Sequence, residues 1–209
     1  MKKHIGIIGL GDMGFSMARN ILKAGYQLTG FDLREERLEM LEALGGKRAS
    51  SPAEVGEVAD AVFIMVMTGK QAESIVSGED GLLKTMNPGK TILLTATIEP
   101  HEARSIGKTV AKKGVHLIDA PVSGGQNGAE SGTLALMAAA DKEVWDENLD
   151  LMKAVGENIF HVGEEIGIGQ TVKASLQALI GCTFTAIFES LVLGSKAGVS
   201  GKVLYEVFS

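Results

Sequence analysis

The 209-residue sequence is poor in cysteine and in positive charge, and each shortage excludes a class of protein. Cys182 is the only cysteine, so the chain forms no internal disulfide, and we expect it in a reducing compartment, the cytoplasm. The apolar neighbours of Cys182 predict a buried, unreactive thiol. The net charge of −6 and the pI near 5.3 argue against general binding to nucleic acids or acidic membranes, because phosphates would be repelled. One anionic ligand at a local site is compatible with this charge.

The sequence also lacks clustered metal ligands and a wholly apolar stretch of membrane-spanning length. The four histidines are scattered without ligand spacing, so we expect no metal site. No G-x-S-x-G motif or Ser/His/Asp arrangement supports hydrolase chemistry. The most apolar stretch, residues 176–193, contains Gln177 and Glu189, which makes it a poor match to a membrane span. This stretch instead predicts a buried helix and no membrane partner.

Short apolar runs alternate with helical patterns through the first part of the chain. We predict strands at residues 5–8, 28–31, 61–67, 91–94 and 115–118. We predict helices at residues 14–23, 35–44 and 99–112. Gly25 follows the first helix at the position that needs a positive φ. This order of elements predicts an α/β fold with a doubly wound, mostly parallel sheet.

The pattern changes after Gly132. A returning strand is predicted at residues 133–140, a helix at 142–152 and a last strand at 158–162. A glycine-interrupted loop at residues 164–169 then ends the first domain.

A helix of about seven turns is predicted next, at residues 170–196. Its middle is apolar on nearly every side, so it must be enclosed, and the first domain can cover only part of it. A turn and the start of another helix, residues 202–208, follow. We expect two domains, 1–162 and 163–209, the second being the start of an all-helical domain. Further helices or a second subunit would cover it, which predicts a homo-oligomer formed through the long helix.

The strongest motif is a glycine-rich turn between the first strand and the first helix, Gly9-Leu10-Gly11-Asp12-Met13-Gly14. Gly9 allows the tight turn, Gly11 lets the backbone approach a pyrophosphate, and Gly14 lets helix and strand pack closely. The free N–H groups at the helix start attract phosphate. The motif alone is weak evidence of dinucleotide binding. A strand before it and a helix after it, however, indicate a dinucleotide-binding Rossmann sheet. We therefore assign these six residues to cofactor binding.

Asp32 ends the second strand about twenty residues after the glycine-rich turn. A carboxylate there accepts hydrogen bonds from an adenosine ribose and repels a 2′-phosphate, which favours NAD. Arg34 lies close enough to accept that phosphate, so NADP stays open. Phe31 and residues 66–68 would flank the adenosine. Met67 either belongs to the core or contacts the cofactor, and we include it with the cofactor-binding residues.

Three segments resemble the 3-hydroxyisobutyrate dehydrogenase family of β-hydroxyacid dehydrogenases. Residues 9–25, GLGDMGFSMARNILKAG, resemble the opening of that family. Residues 119–134, DAPVSGGQNGAESGTL, resemble its substrate-binding signature and are far more specific, and residues 167–173, GIGQTVK, are similar to the segment with its catalytic lysine. The resemblance spans the whole chain. Family members are longer and have an all-helical second domain, so we expect this chain to be truncated.

The residue types in these segments also predict a substrate site, independently of the resemblance. Ser123 offers a hydroxyl, and Gly124 and Gly125 can turn their N–H groups inward, so this elbow would hold a substrate carboxylate. Lys173 and Gln177 are four residues apart and face the same way, towards the crevice at the carboxyl ends of the strands. A partly desolvated lysine would take the hydroxyl proton as hydride leaves for nicotinamide, and return it in reverse. The alternatives without a functional role are a tight loop after a strand for residues 123–125 and a surface lysine at a helix start for Lys173.

Two positions depart from the family, and both concern the substrate. Most members have asparagine where Gln177 stands, and glutamine there resembles the L-threonate dehydrogenase branch. Ala96 stands where many have serine, whereas Thr97 matches a position expected near the nicotinamide ribose. The resemblance implies an NAD(P)-dependent dehydrogenase of a small 3-hydroxy acid. An L-threonate-like sugar-acid dehydrogenase, a tartronate semialdehyde reductase and a non-catalytic dinucleotide-binding or oligomerisation module are the alternatives, and Lys173 counts against the last.

Overall fold

A nine-stranded sheet lies at the centre of the computed structural model, which describes residues 2–209. Its first six strands are β1 (His4–Ile8), β2 (Gln27–Phe31), β3 (Lys47–Arg48), β4 (Ala61–Ile64), β5 (Thr91–Leu94) and β6 (His116–Asp119). These strands are parallel and lie in the order β3-β2-β1-β4-β5-β6. The predicted fold class is confirmed, because this is the strand order of doubly wound dinucleotide-binding folds.

Five helices connect these strands: α1 (Asp12–Lys23), α2 (Glu35–Ala43), α3 (Pro52–Val58), α4 (Gly69–Ser77) and α5 (Pro100–Ala111). A 3₁₀ turn at Leu82–Lys84 follows α4. β3, α3 and α4 were not predicted from the sequence, although both helices carry start signals. Ser51 accepts from the Glu54 N–H at 3.2 Å, and Thr68 and Gln71 form a capping box.

The last strands include one that runs back along the sheet. They are β7 (Val122–Ser123), β8 (Leu134–Ala139) and β9 (Gly156–Gly163), with α6 (Gly125–Ser131) and α7 (Lys142–Lys153) between them. β8 is antiparallel to β6 and β7 and parallel to β9. The predicted returning strand is therefore confirmed, whereas α6 was not predicted.

Apolar residues cover both faces of the sheet. Alternate side chains of β4 point to opposite faces, so Phe63 joins one apolar layer while Val62 and Ile64 join the other. Burial on both faces explains why β4 is apolar throughout, as the sequence predicts. The predicted end of this strand at Met67 is wrong, because β4 ends at Ile64 and the chain then turns towards α4, which Thr68 caps.

The long helix α8 (Ile168–Lys196) begins in a first compact unit, which ends at Lys173, and continues into a second, Ala174–Ser209. The predicted division after residue 162 stays a prediction. The second unit contains the rest of α8 and α9 (Gly201–Phe208), where Leu204 is buried. By length and composition, α8 is the one helix among the described residues that could cross a membrane.

The middle of α8 is exposed in the second unit. Two helices offer too little surface to enclose it, so the cover predicted for this helix stays a prediction. The prediction of a buried Cys182 is wrong for the same reason, since its thiol is exposed in the described chain.

Candidate functional site

The glycine-rich turn connects β1 to α1 and has the close packing that its glycines predict. Gly9 has a φ of +92°, and a Cβ there would overlap the carbonyl oxygen of Met65. A Cβ on Gly14 would overlap the Gly9 carbonyl oxygen, so α1 packs directly on the turn. Gly11 is the N-cap of α1, and a Cβ there would meet only Arg34 Nη2, at 3.9 Å. The missing side chain of Gly11 therefore leaves open space at the helix start, which fits a pyrophosphate.

The three residues between these glycines have different surroundings. Leu10 is fully buried, and Met13 packs partly against the apolar layer. Asp12 is exposed and accepts a hydrogen bond from Arg37 Nη2 at 3.0 Å. No side chain caps the N-terminus of α1 among the residues described, so its first N–H groups are available to a ligand.

Asp32 directly follows β2, and its carboxylate holds the glycine-rich turn in place. Oδ2 accepts from the Leu10 N–H at 2.6 Å, and Oδ1 accepts from the N–H and the Nε of Arg34, both at 3.0 Å. Burial raises the pKa of Asp32, but the hydrogen bonds from Arg34 and Leu10 outweigh it and bring the pKa below its usual value. Asp32 is therefore an ionised acceptor where dinucleotide-binding folds place the ribose.

Two large apolar side chains beside this turn are exposed. Leu33 after β2 is 91% exposed, and Met67 after β4 is 85% exposed. Because β2 and β4 flank β1, both side chains lie at the edge of the sheet where the glycine-rich turn begins. The interpretation of Met67 as a core residue is wrong. Leu33 was not predicted as a site residue, and the only signal for it in the sequence is its place beside Asp32. Exposed apolar side chains of this kind fit the faces of an adenine ring.

The Ser123-Gly124-Gly125 elbow joins β7 to α6. Ser123 lies opposite Ala135 of β8. Gly124, the N-cap of α6, has a φ of +129°, and Gly125, its first residue, has a φ of +60°, which are conformations that glycine adopts readily. A Cβ on Gly125 would meet nothing within 4 Å, so the elbow borders open space. This geometry fits an anion-holding elbow, and the role of its three residues stays a prediction.

Lys173 lies in the second turn of α8, and only 7% of its surface is exposed. Burial lowers the pKa of its amine below the usual value for lysine. The helix starts in direct contact with the sheet, since a Cβ on Gly169 would lie 2.5 Å from the carbonyl oxygens of Asp119 and Met137. The turn that precedes Lys173 therefore meets the carboxyl end of β6, a short way before Ser123 in the chain.

Asp119 ends β6 and caps the start of α8. Its buried carboxylate accepts from the N–H groups of Gly167, at 2.8 Å, and Gln170, at 3.2 Å, so Asp119 holds the loop that leads into α8. Burial raises the pKa of Asp119, although hydrogen bonds from these residues oppose the shift. Thr97 is exposed in the loop after β5. Gln177 is exposed and belongs to the second unit, so its part in a site stays a prediction.

Comparisons with known proteins agree with this geometry. Residues 4–163 match the NAD binding domain of 6-phosphogluconate dehydrogenase. The chain is 36% identical over 209 residues to L-threonate dehydrogenase of Cupriavidus necator, covering 100% of this chain and 70% of that protein. It is 39% identical over 204 residues to 3-hydroxyisobutyrate dehydrogenase of Pseudomonas aeruginosa, covering 97% of this chain and 68% of that protein.

A solved structure extends the similarity to the fold. The Mycobacterium tuberculosis 3-hydroxyisobutyrate dehydrogenase, solved with L-serine, is 30% identical and superposes with a TM-score of 0.92. The match covers 99% of this chain and 70% of that one. The chain belongs to the 3-hydroxyisobutyrate dehydrogenase family of NAD-dependent β-hydroxyacid dehydrogenases.

Proposed function

We propose that this chain interconverts a small 3-hydroxy acid and its carbonyl product, with Lys173 as the general acid and base. The observation that supports this role is the shielding of the lysine, which is 7% exposed and has a pKa lowered by burial. A general base works best when its pKa is near the operating pH. The start of its helix meets the strand that leads to the Ser123 elbow, so the amine and the elbow share one edge of the sheet.

The cofactor would lie along the carboxyl ends of β1, β2 and β4. The glycine-rich turn from Gly9 to Gly14 would hold its pyrophosphate, Asp32 its adenosine ribose, and Leu33 and Met67 its adenine. Thr97 would face the nicotinamide half. When bound, NAD or NADP supplies a hydride acceptor for oxidation and, in reduced form, a hydride donor for the reverse reaction.

The chain's own residues would hold the substrate and move its proton. The Ser123 hydroxyl and the N–H groups of Gly124 and Gly125 would bind the carboxylate and orient the hydroxyl towards Lys173. In oxidation the neutral amine of Lys173 takes the hydroxyl proton, and in reduction its ammonium returns it.

The substrate class has a second candidate, a longer sugar acid such as L-threonate. The similarity to an L-threonate dehydrogenase and the glutamine at position 177 favour it, because a longer amide suits a substrate with more hydroxyls. Tartronate semialdehyde reduction is the same chemistry in the opposite direction.

We also propose that the chain acts as a homo-oligomer in the cytoplasm. The long run of exposed apolar residues on α8 supports an oligomer, since such surfaces are usually covered in solution. The absence of a second cysteine supports a reducing compartment.

Replacing Lys173 by alanine tests the proposed function. We expect turnover with a panel of three- and four-carbon hydroxy acids to fall at least about 100-fold, the usual scale for a lost general base, with little change in NADH affinity. Lys196→Ala removes a lysine at the far end of the same helix and is the matched control. Full turnover in Lys173→Ala would remove the lysine from the mechanism, and the preferred acid of the panel identifies the substrate.

A further inference from the structure

The side chain of Gln170 joins the three segments that the proposed function brings together. It is 1% exposed and lies in the first turn of α8. Its Oε1 accepts from the Ile98 N–H at 3.0 Å, and its Nε2 donates to the Ala96 carbonyl oxygen at 3.0 Å. Nε2 also donates to Asp119 Oδ1 at 2.8 Å. One amide therefore connects the loop after β5, the end of β6 and the helix that carries Lys173.

The two bonds to the loop lie on either side of Thr97. Ala96 and Ile98 are buried and bonded to Gln170, whereas Thr97 between them is exposed. Gln170 thus fixes the backbone before and after the one residue of this stretch that faces outward. A residue held in this way needs no further ordering when it contacts a ligand.

The orientation of the amide is fixed by its partners. The Ala96 carbonyl oxygen can only accept and the Ile98 N–H can only donate, so a flipped amide would lose both of these bonds. The other oxygen of Asp119 accepts from the N–H groups of Gly167 and Gln170, which holds the helix start itself. Asp119 therefore fixes both the backbone and the side chain of Gln170.

Gln170 and Lys173 share one face of α8. Residues three apart on a helix are neighbours, so the turn that Gln170 fixes also sets the position of the lysine. The absent side chain of Gly169 lets this turn lie against the carbonyl oxygens of Asp119, at the end of β6, and of Met137, within β8. Movement of the helix start would change the distance between Lys173 and the loop at Thr97.

We propose that Gln170, held by Asp119, is a positioning residue that sets the place of Lys173 relative to the Thr97 loop on the nicotinamide side. This inference rests on the proposed roles of Lys173 and Thr97. Gln170 itself contacts neither substrate nor cofactor and acts through the backbone of residues 96–98.

Replacing Gln170 by methionine tests the proposal, because methionine keeps the length and removes the polar atoms. We expect NADH to bind at least about tenfold more weakly, because the loop loses both of its hydrogen bonds to Gln170. A tenfold change in affinity corresponds to about 1.4 kcal/mol. ADP, which lacks the nicotinamide half, should bind within about twofold of the parent, a difference below 0.5 kcal/mol. Titration calorimetry measures both affinities.

A second readout follows the lysine directly. The pKa of Lys173, from an NMR titration of ¹³C-labelled lysine assigned with Lys173→Met, should rise towards that of free lysine in Gln170→Met, because a loosened helix start admits water. Gln170→Asn keeps an amide but is one methylene shorter, which removes little volume, and we expect the same two changes with smaller size.

Asn148→Leu is the matched control. Asn148 is also a fully buried amide, and it bonds Thr91 at the opposite end of β5, so its loss tests destabilisation alone. The proposal is overturned if NADH and ADP weaken equally in the Gln170 variants, or if Asn148→Leu has the same effect as they do. Unchanged NADH affinity and Lys173 pKa in Gln170→Met would also overturn it. None of these results depends on turnover, so they are distinct from a failure of Lys173→Ala to lose activity.

Discussion

Replacing Asp32 by serine should move the cofactor preference of the chain from NAD towards NADP. Asp32 offers an ionised acceptor at the end of β2, and its pKa is held below the usual value by Arg34 and Leu10. Serine removes the charge that repels a 2′-phosphate and the acceptor that binds ribose hydroxyls. It also frees Arg34, which donates to Asp32 through both its N–H and its Nε.

The size of the change follows from the bonds that are lost. A hydrogen bond to a charged group contributes about 1.5–3 kcal/mol, which predicts a loss of roughly 10- to 150-fold in NADH affinity. The Leu10 N–H also loses its acceptor, which loosens the turn for both cofactors alike. The ratio of the NADH and NADPH affinities therefore isolates the ribose contact, and we expect it to fall at least about tenfold, or 1.4 kcal/mol.

Fluorescence titration of NADH and NADPH measures this ratio. Asp60→Asn is the matched control. Asp60 also accepts from a backbone N–H, that of His4 at 2.8 Å, and also pairs with a cation, Lys90. Unlike Asp32, it lies before a strand, β4, and not after one. Asp60→Asn should leave the ratio unchanged. In Asp32→Ser combined with Arg34→Ala, any gain in NADPH affinity should disappear. A parent chain that already binds NADPH tenfold better, or an unchanged ratio in Asp32→Ser, would refute the reasoning.

Two further predictions concern Lys173 and the helix that carries it. Because burial lowers the pKa of Lys173, the oxidation rate should rise with pH through a pKa below the usual value for lysine, and the reduction rate should fall through the same pKa, as pH profiles will show. Lys173→Arg, which stays protonated, should lose the oxidation limb, and an unshifted lysine pKa would contradict the prediction. Gly169→Ala should lower the free energy of unfolding by about 1–3 kcal/mol in urea, because its Cβ would press on two backbone carbonyl oxygens. Gly181→Ala, which meets open space on the same helix, should have no such cost, and equal effects would refute the close contact.

Local sequence patterns predicted most of the dinucleotide-binding sheet and its glycine-rich turn. Gly9, Gly14 and Gly25 stand where a backbone needs a positive φ or cannot accept a side chain, and both requirements are visible in the spacing of the glycines. The run from Ala61 is apolar because both faces of β4 are buried, but composition does not reveal that the strand ends at Ile64. The turn to α4 depends instead on the capping box of Thr68 and Gln71, a signal that periodicity does not contain.

Burial in the second unit could not be predicted from composition. An apolar helix indicates that something covers it, yet the sequence of α8 does not say what, so Cys182 is exposed where its neighbours predict burial. The hydrophobic pattern of a helix indicates that its apolar faces must pack against something, whereas their exposure depends on which other elements are present.

The contacts at the carboxyl edge of the sheet were beyond the reach of local patterns because they join distant residues. Gln170 bonds to residues 96–98 and to Asp119, which are far from it along the chain, and no spacing rule connects them. The sequence marks the ends of such a network, an aspartate after one strand and a lysine at a helix start, but only the fold shows the amide between them. A chain that places its predicted base on a late helix needs such a link, because the link fixes the start of that helix relative to the loop after β5.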